Sequence, residues 1–166
     1  MPAIEIRSAL GASHYLHADL DYTAPTFLVS LRVGTPAIAI EPEFAFARHD
    51  TTRDFLDAHV SERAEFKSAG LNVVRRWQGS IAPFVGGGVG VFSERRRTQT
   101  STRSGDFSSD RTDGPRGGLQ ALGGVDVRLT SRVALFGEMR YEIRSLTDPG
   151  GGSVVQGFGG MAFALR

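Results

Sequence analysis

Apolar and polar residues alternate one by one along most of this chain. Ile38, Ile40, Pro42, Phe44 and Phe46 fall on one side; Ala39, Glu41, Glu43, Ala45 and Ala47 fall on the other. A period of two sustained this long marks a β-strand, because a helix repeats every 3.6 residues. Eight such stretches fit in the 166 residues. They cover about 3–15, 24–34, 37–48, 66–77, 81–93 and 117–129, a seventh after residue 132, and an eighth from about 154. Three connections are tight (34–36, 78–80 and 130–132). Four are long and polar (17–23, 49–65, 94–116 and 146–153).

Every tight turn follows an even-numbered stretch, so all the long connections lie at one end of an up-and-down arrangement. This asymmetry fits a transmembrane barrel with short periplasmic turns and long outer loops. The expected fold is all-β: an eight-stranded antiparallel up-and-down transmembrane β-barrel, forming a single outer-membrane β-barrel domain over 1–166. The loops at 50–62 and 98–113 are rich in Asp, Ser and Thr. The first is expected to be solvated and partly helical, the second disordered.

The polar faces decide which side meets which solvent. They mix small residues (Ala9, Gly11, Gly70, Gly86, Gly88, Gly90) with long charged ones. A solvated face has no need of glycine, which weakens strands; a narrow lumen needs it to make room. The charges on that face also balance. Arg7, Arg32, Arg76, Arg128, Arg140 and Arg144 stand against Glu5, Glu41, Glu43, Asp126, Glu138 and Glu142. A buried network requires such matching, since an unpaired buried charge is costly, and arginine suits desolvated bidentate pairing. The expected lumen network is therefore Arg7, Arg32, Glu41, Glu43, Arg76, Asp126, Arg128, Glu138, Arg140 and Glu142. On the apolar faces, Phe27, Phe46 and Tyr141 are expected near the outer rim and Trp77 and Phe163 near the inner one, as an aromatic girdle.

Composition adds exclusions. The formal net charge is +1, so no overall field argues for nucleic acid. Lys67 is the sole lysine among 19 basic residues. Cysteine is absent, which excludes disulfides and thiolate metal sites. No run approaches the roughly 18 apolar residues of a membrane-spanning helix, and barrel strands carry a weaker signal. The first residues show no charged region followed by an apolar one, so any export signal is expected to have been removed.

The run Pro83-Phe84-Val85-Gly86-Gly87-Gly88-Val89-Gly90-Val91 resembles the central P-[YF]-V-G-x-G-x-G strand of small bacterial outer-membrane barrels. Residues 123–130 followed by 133–141 resemble their next hairpin. The chain is thus similar to the OmpA-like eight-stranded barrel superfamily over nearly its whole length, most closely from 81 to 141. The resemblance implies a bacterial outer-membrane location, folding by the barrel-assembly machinery and a plugged polar lumen; it does not imply one biochemical role. Family members usually end on an aromatic residue, whereas this sequence ends Phe163-Ala164-Leu165-Arg166.

Chemistry is sparse. A nucleophile needs a base within hydrogen-bond reach, but Ser13 and His14 point to opposite faces of a strand. Asp50, Asp54, Asp57, His59 and Glu62 match no metal-ligand spacing. Gly86–Gly90 lacks the Lys-Ser/Thr of a phosphate loop. No catalytic residue, metal or cofactor is expected. Arg95, Arg96 and Arg97 are a candidate contact for lipopolysaccharide phosphates. The expected role is a non-enzymatic, monomeric structural or surface-interaction protein acting through its outer loops, with outer-membrane lipid and lipopolysaccharide as partners and no nucleic acid. The alternatives are a soluble lipocalin-like barrel holding a small hydrophobic ligand in an Ile/Val/Phe interior, and an outer-membrane lipid-modifying enzyme.

Overall fold

The computed structural model describes residues 3–17, 20–144 and 152–165. Eight strands follow in chain order: β1 (Ala3–His17), β2 (Leu20–Gly34), β3 (Ile38–Phe55), β4 (Ala58–Arg76), β5 (Ile81–Thr102), β6 (Gly105–Arg128), β7 (Val133–Ile143) and β8 (Ser153–Leu165). Each pairs antiparallel with its sequence neighbours, and β1 closes the ring on β8 from Ile4↔Leu165 to Leu16↔Ser153. Closure removes the free edges that an open sheet would leave.

Alternation sorts the side chains as a water-soluble barrel would not. Ile38, Phe44, Val89 and Leu135 are 57, 47, 57 and 44% exposed on the outside. Glu41 and Arg140 are 0 and 2% exposed inside. A lipocalin-like barrel buries its apolar face; here that face is the outer surface, and the interior holds charged, amide and aromatic groups with alanines and a few aliphatic side chains such as Leu28 and Val74. The geometry therefore excludes an Ile/Val/Phe ligand cavity.

Two long connections differ from expectation. Residues 49–65 are neither loop nor helix: β3 and β4 continue through them and turn at Leu56-Asp57. Residues 94–116 likewise continue β5 and β6 to a turn at Arg103-Ser104, so 98–113 is an ordered hairpin rather than a disordered loop. Gly105, which follows that turn, has φ +144°, a conformation that L side chains rarely adopt. Both faces of these extensions meet water, so nothing imposes apolar alternation and the strands read as polar loops. The extended hairpins pair with each other from Ala58↔Thr102 down to the barrel. Residues 20–23, expected in a loop, belong to β2. Of the fourth outer connection, 146–151 lie outside the described residues.

Candidate functional site: the charged lumen and the outer hairpins

Inward positions repeat every second residue on each strand, so the register stacks the polar groups in layers. In the layer nearest the tight turns, Arg76 Nη1 donates to Glu5 at 2.8 Å and to Asp126 at 3.4 Å. Above it lies Arg7, 1% exposed. Its Nη2 donates to Asp126 at 3.0 Å, and its Nη1 lies 3.3 Å from Glu41 and 3.5 Å from Glu138. The Arg7 guanidinium carbon sits 3.8 Å from the Phe136 ring centre and 4.9 Å from that of Phe84. Arg32 Nε reaches Glu41 at 2.7 Å and its Nη1 reaches Asp126 at 3.2 Å. Ser30 donates to Glu41 at 2.5 Å.

The next layer centres on Arg140, which pairs with both Glu43 and Glu138. Glu43 also accepts from Asn72 at 2.7 Å and from Gln120 at 2.9 Å. Gly70 faces this cluster: a Cβ there would lie 2.6 Å from Gln120 Nε2 and 3.0 Å from Glu43 Oε1. Glycine at this position leaves the space that the network occupies. Farther out, Gln156 donates to Ser13 at 2.9 Å, and Ser13 pairs with Thr26 at 2.5 Å. At the outer mouth Tyr15 stacks on Tyr22 at 4.6 Å and packs at a tilt against Phe66 at 4.4 Å, and Tyr22 stacks on His49 at 4.7 Å. Arg144, bonded to Glu142 at 3.1 Å, lies over Tyr15, Phe66 and Phe92.

Nine of the ten residues expected in the lumen are thus drawn into ion pairs there. Arg128 is not: it is exposed beside the tight turns and makes no ion pair among the described residues. Parity alone assigns a face but not a depth, and Arg128 is the last residue of β6. Asn72, Gln120 and Gln156 belong to the network although the sequence pattern assigned them no role. Their signal is the same parity, on strands where charge is the more conspicuous feature.

Phe27 and Phe46 are register partners on the outside. Tyr141 lies outward near the hairpin end, where its hydroxyl donates to Ser153 at 2.9 Å. Trp77 and Phe163 lie outward at the turn end, 45 and 42% exposed. The arginine triplet divides between faces. Arg95 and Arg97 both hold Asp110, at 2.6 and 3.1 Å. Arg96 holds Glu94 at 2.8 Å and Glu62 at 3.3 Å. The Arg95 and Arg97 hydrogen bonds pull the Asp110 carboxyl down to about 2. The acidic residues of the β3–β4 hairpin are also engaged: Asp50 with Arg48 and Arg63, Asp54 with His59, and Asp57 with Arg103. Ser13 and His14 bond to different partners, Ser13 to Thr26 and His14 to Thr23.

No family model matches the sequence, and no curated protein matches it. Solved structures do. Neisserial surface protein A superposes with a TM-score of 0.70 at 13% identity, over 98% of this chain and 96% of that one. Ail of Yersinia pestis, in complex with the heparin analogue sucrose octasulfate, gives 0.65 at 14% identity, over 99 and 97%. A major outer membrane protein from Thermus thermophilus gives 0.57 at 14% identity, over 99% of both chains. The architecture of this chain is that of the eight-stranded outer-membrane β-barrels.

Proposed function

We propose that this chain is a bacterial outer-membrane protein whose lumen is closed to solutes and whose work is done by its outer hairpins. The carrying observation is the inversion of polarity. Outward positions from Ile38 to Phe46, Ile81 to Val91 and Leu135 to Ile143 carry no charge. The inside holds a network of arginines and carboxylates. Spans of this length match the roughly 9–11 residues a tilted strand needs to cross hydrocarbon. An eight-stranded barrel is narrow enough for side chains to fill. The ion pairs and aromatic layers above support a closed lumen.

In this reading the barrel-assembly machinery inserts the chain, which acts as a monomer without catalysis. Lipopolysaccharide surrounds the outer half of the belt. The Arg95–Arg97 triplet is a weaker contact for its phosphates than the sequence suggested, because each guanidinium already holds a carboxylate. The triplet braces the hairpins, which then present a firm surface to a partner outside the cell. That Ail, of the same fold, has been captured with a heparin analogue supports a binding role for such a scaffold.

The test is electrical and electrophoretic. Refolded protein in a planar bilayer should give no openings on the scale of a porin, and unheated samples should migrate on a detergent gel apart from boiled ones. Porin-scale conductance would refute the closed lumen. Protein that stays monomeric in buffer without detergent would refute the membrane location.

A further inference from the structure

The outer face of β4 is bracketed by two cations. Lys67 stands at one end, beside its register partner Phe46, and Arg75 stands at the other. Between them the outward residues are Ala69, Leu71 and Val73. Eight residues of strand span about 27 Å, which after tilting matches the height of the apolar band. Lys67 therefore lies at the outer margin of the belt and Arg75 at the inner one.

Arg75 is the unusual member. Its register partners are Ile38 on one side and Val85 on the other, both more than half exposed to the surrounding medium. No carboxylate lies within ion-pair distance of it among the described residues. Its guanidinium carbon sits 5.6 Å from the ring centre of Trp77, itself 45% exposed on the same face. A ring against one face of the guanidinium holds it by cation–π attraction and leaves its N–H edge free. That edge is suited to bidentate bonds to phosphate. The surroundings repeat the sign: Arg128 and Arg132 are exposed at the same end, also without ion pairs among the described residues. The two carboxylates nearest that end, Glu5 and Asp126, are spent inside on Arg76, Arg7 and Arg32. Among the described residues these three exposed arginines at the turn end have no ion-pair partner.

We propose that Arg75 and Trp77 form a headgroup site for an anionic phospholipid of the inner, periplasm-facing leaflet. The phosphodiester bonds the Arg75 guanidinium, the Trp77 indole packs beside it at the membrane interface, and the acyl chains lie along Val73, Val85 and Ile38. Anionic lipids are preferred because a zwitterionic headgroup brings its own cation toward Arg75, Arg128 and Arg132. The site lies on the lipid-facing surface, so its occupant comes from the bilayer. This inference rests on the membrane orientation proposed above.

Trp77 is the chain's one tryptophan, so its fluorescence reports this site alone. The protein is refolded into phosphatidylcholine vesicles carrying a fixed fraction of acyl-brominated phosphatidylglycerol, or the same fraction of acyl-brominated phosphatidylcholine. Bromine quenches by contact. The expected result is stronger quenching by the brominated phosphatidylglycerol, corresponding to about fivefold local enrichment for one cation at the surface. In Arg75→Gln, refolded to the same heat-modifiable form, the ratio should fall toward one. Equal quenching by the two lipids in the wild type, or an undiminished ratio in Arg75→Gln, would overturn the site. Loss of the preference with inorganic phosphate, but not with chloride at equal ionic strength, would identify a site for free phosphate and overturn the lipid assignment. Quenching by neither lipid would refute the membrane orientation itself, and the site with it.

Discussion

Glu41 shows what one residue does in a closed lumen. It is 0% exposed, and two arginines and a serine converge on it. Its attraction to those groups offsets a desolvation penalty that is large for all of them. Removing it leaves Arg7 and Arg32 facing each other with less compensation. Glu41→Ala is expected to lower unfolding stability in detergent by about 3–5 kcal/mol, the scale of a broken buried pair. Adding Arg32→Met should then cost less than its own single effect, because the second charge has gone. Urea titrations of the single and double variants measure this; strictly additive losses, or a Glu41→Ala loss below about 1 kcal/mol, would show that the network is solvated. Gly70 makes the complementary point, since it contributes by being small where Glu43 and Gln120 meet.

The hairpins are where single elements depart from what the sequence let one see. Inside the belt, alternation was legible because each strand separates two different media, and strand positions there were readable to within a few residues. Beyond the belt both media are water, the alternation disappears, and 98–113 looked like a disordered loop. Its order comes from pairing across strands, as in Arg97↔Asp110 and Arg63↔Arg97, which a linear reading does not display. The lumen was legible as a balance of charges but not as a set of pairs, because pairing depends on depth and on register around the ring. Arg128 was misplaced for that reason. The Asp110 clamp gives the hairpin a pH signature. Its carboxyl is held at about 2, below the ordinary 3.8, by hydrogen bonds from Arg95 and Arg97. A lowered folded value means the stabilisation is complete above the ordinary value and is lost as pH falls through the folded one. Pepsin cleavage near the exposed Phe107 should therefore accelerate between about pH 4 and pH 2, beyond the change seen on an unfolded substrate. Asp110→Asn should be cut readily across that range. A wild-type rate that follows only the enzyme's own pH profile would show that the clamp does not hold the hairpin.

At the scale of the whole molecule, the solvent decides whether this arrangement is stable. In water the barrel would expose a continuous ring of isoleucine, valine, leucine and phenylalanine while burying ions, which reverses both the hydrophobic gain and the desolvation penalty. In a bilayer the same surface is matched to acyl chains, and the backbone is satisfied because the ring has no edge. A single substitution separates these cases. Val89 lies on the outer face in the middle of the belt and is 57% exposed. On a water-facing strand, Val89→Arg would change stability by no more than about 0.5 kcal/mol. Facing the middle of a bilayer, it should cost about 2–4 kcal/mol. Arginine at Ser93, near the margin of the belt on the same strand, should cost far less, because the penalty falls toward the interface. Unfolding titrations in phospholipid vesicles distinguish the outcomes. A steep difference between positions 89 and 93 is the mark of a hydrocarbon slab, and equal, negligible effects would mean that the apolar ring faces something other than lipid.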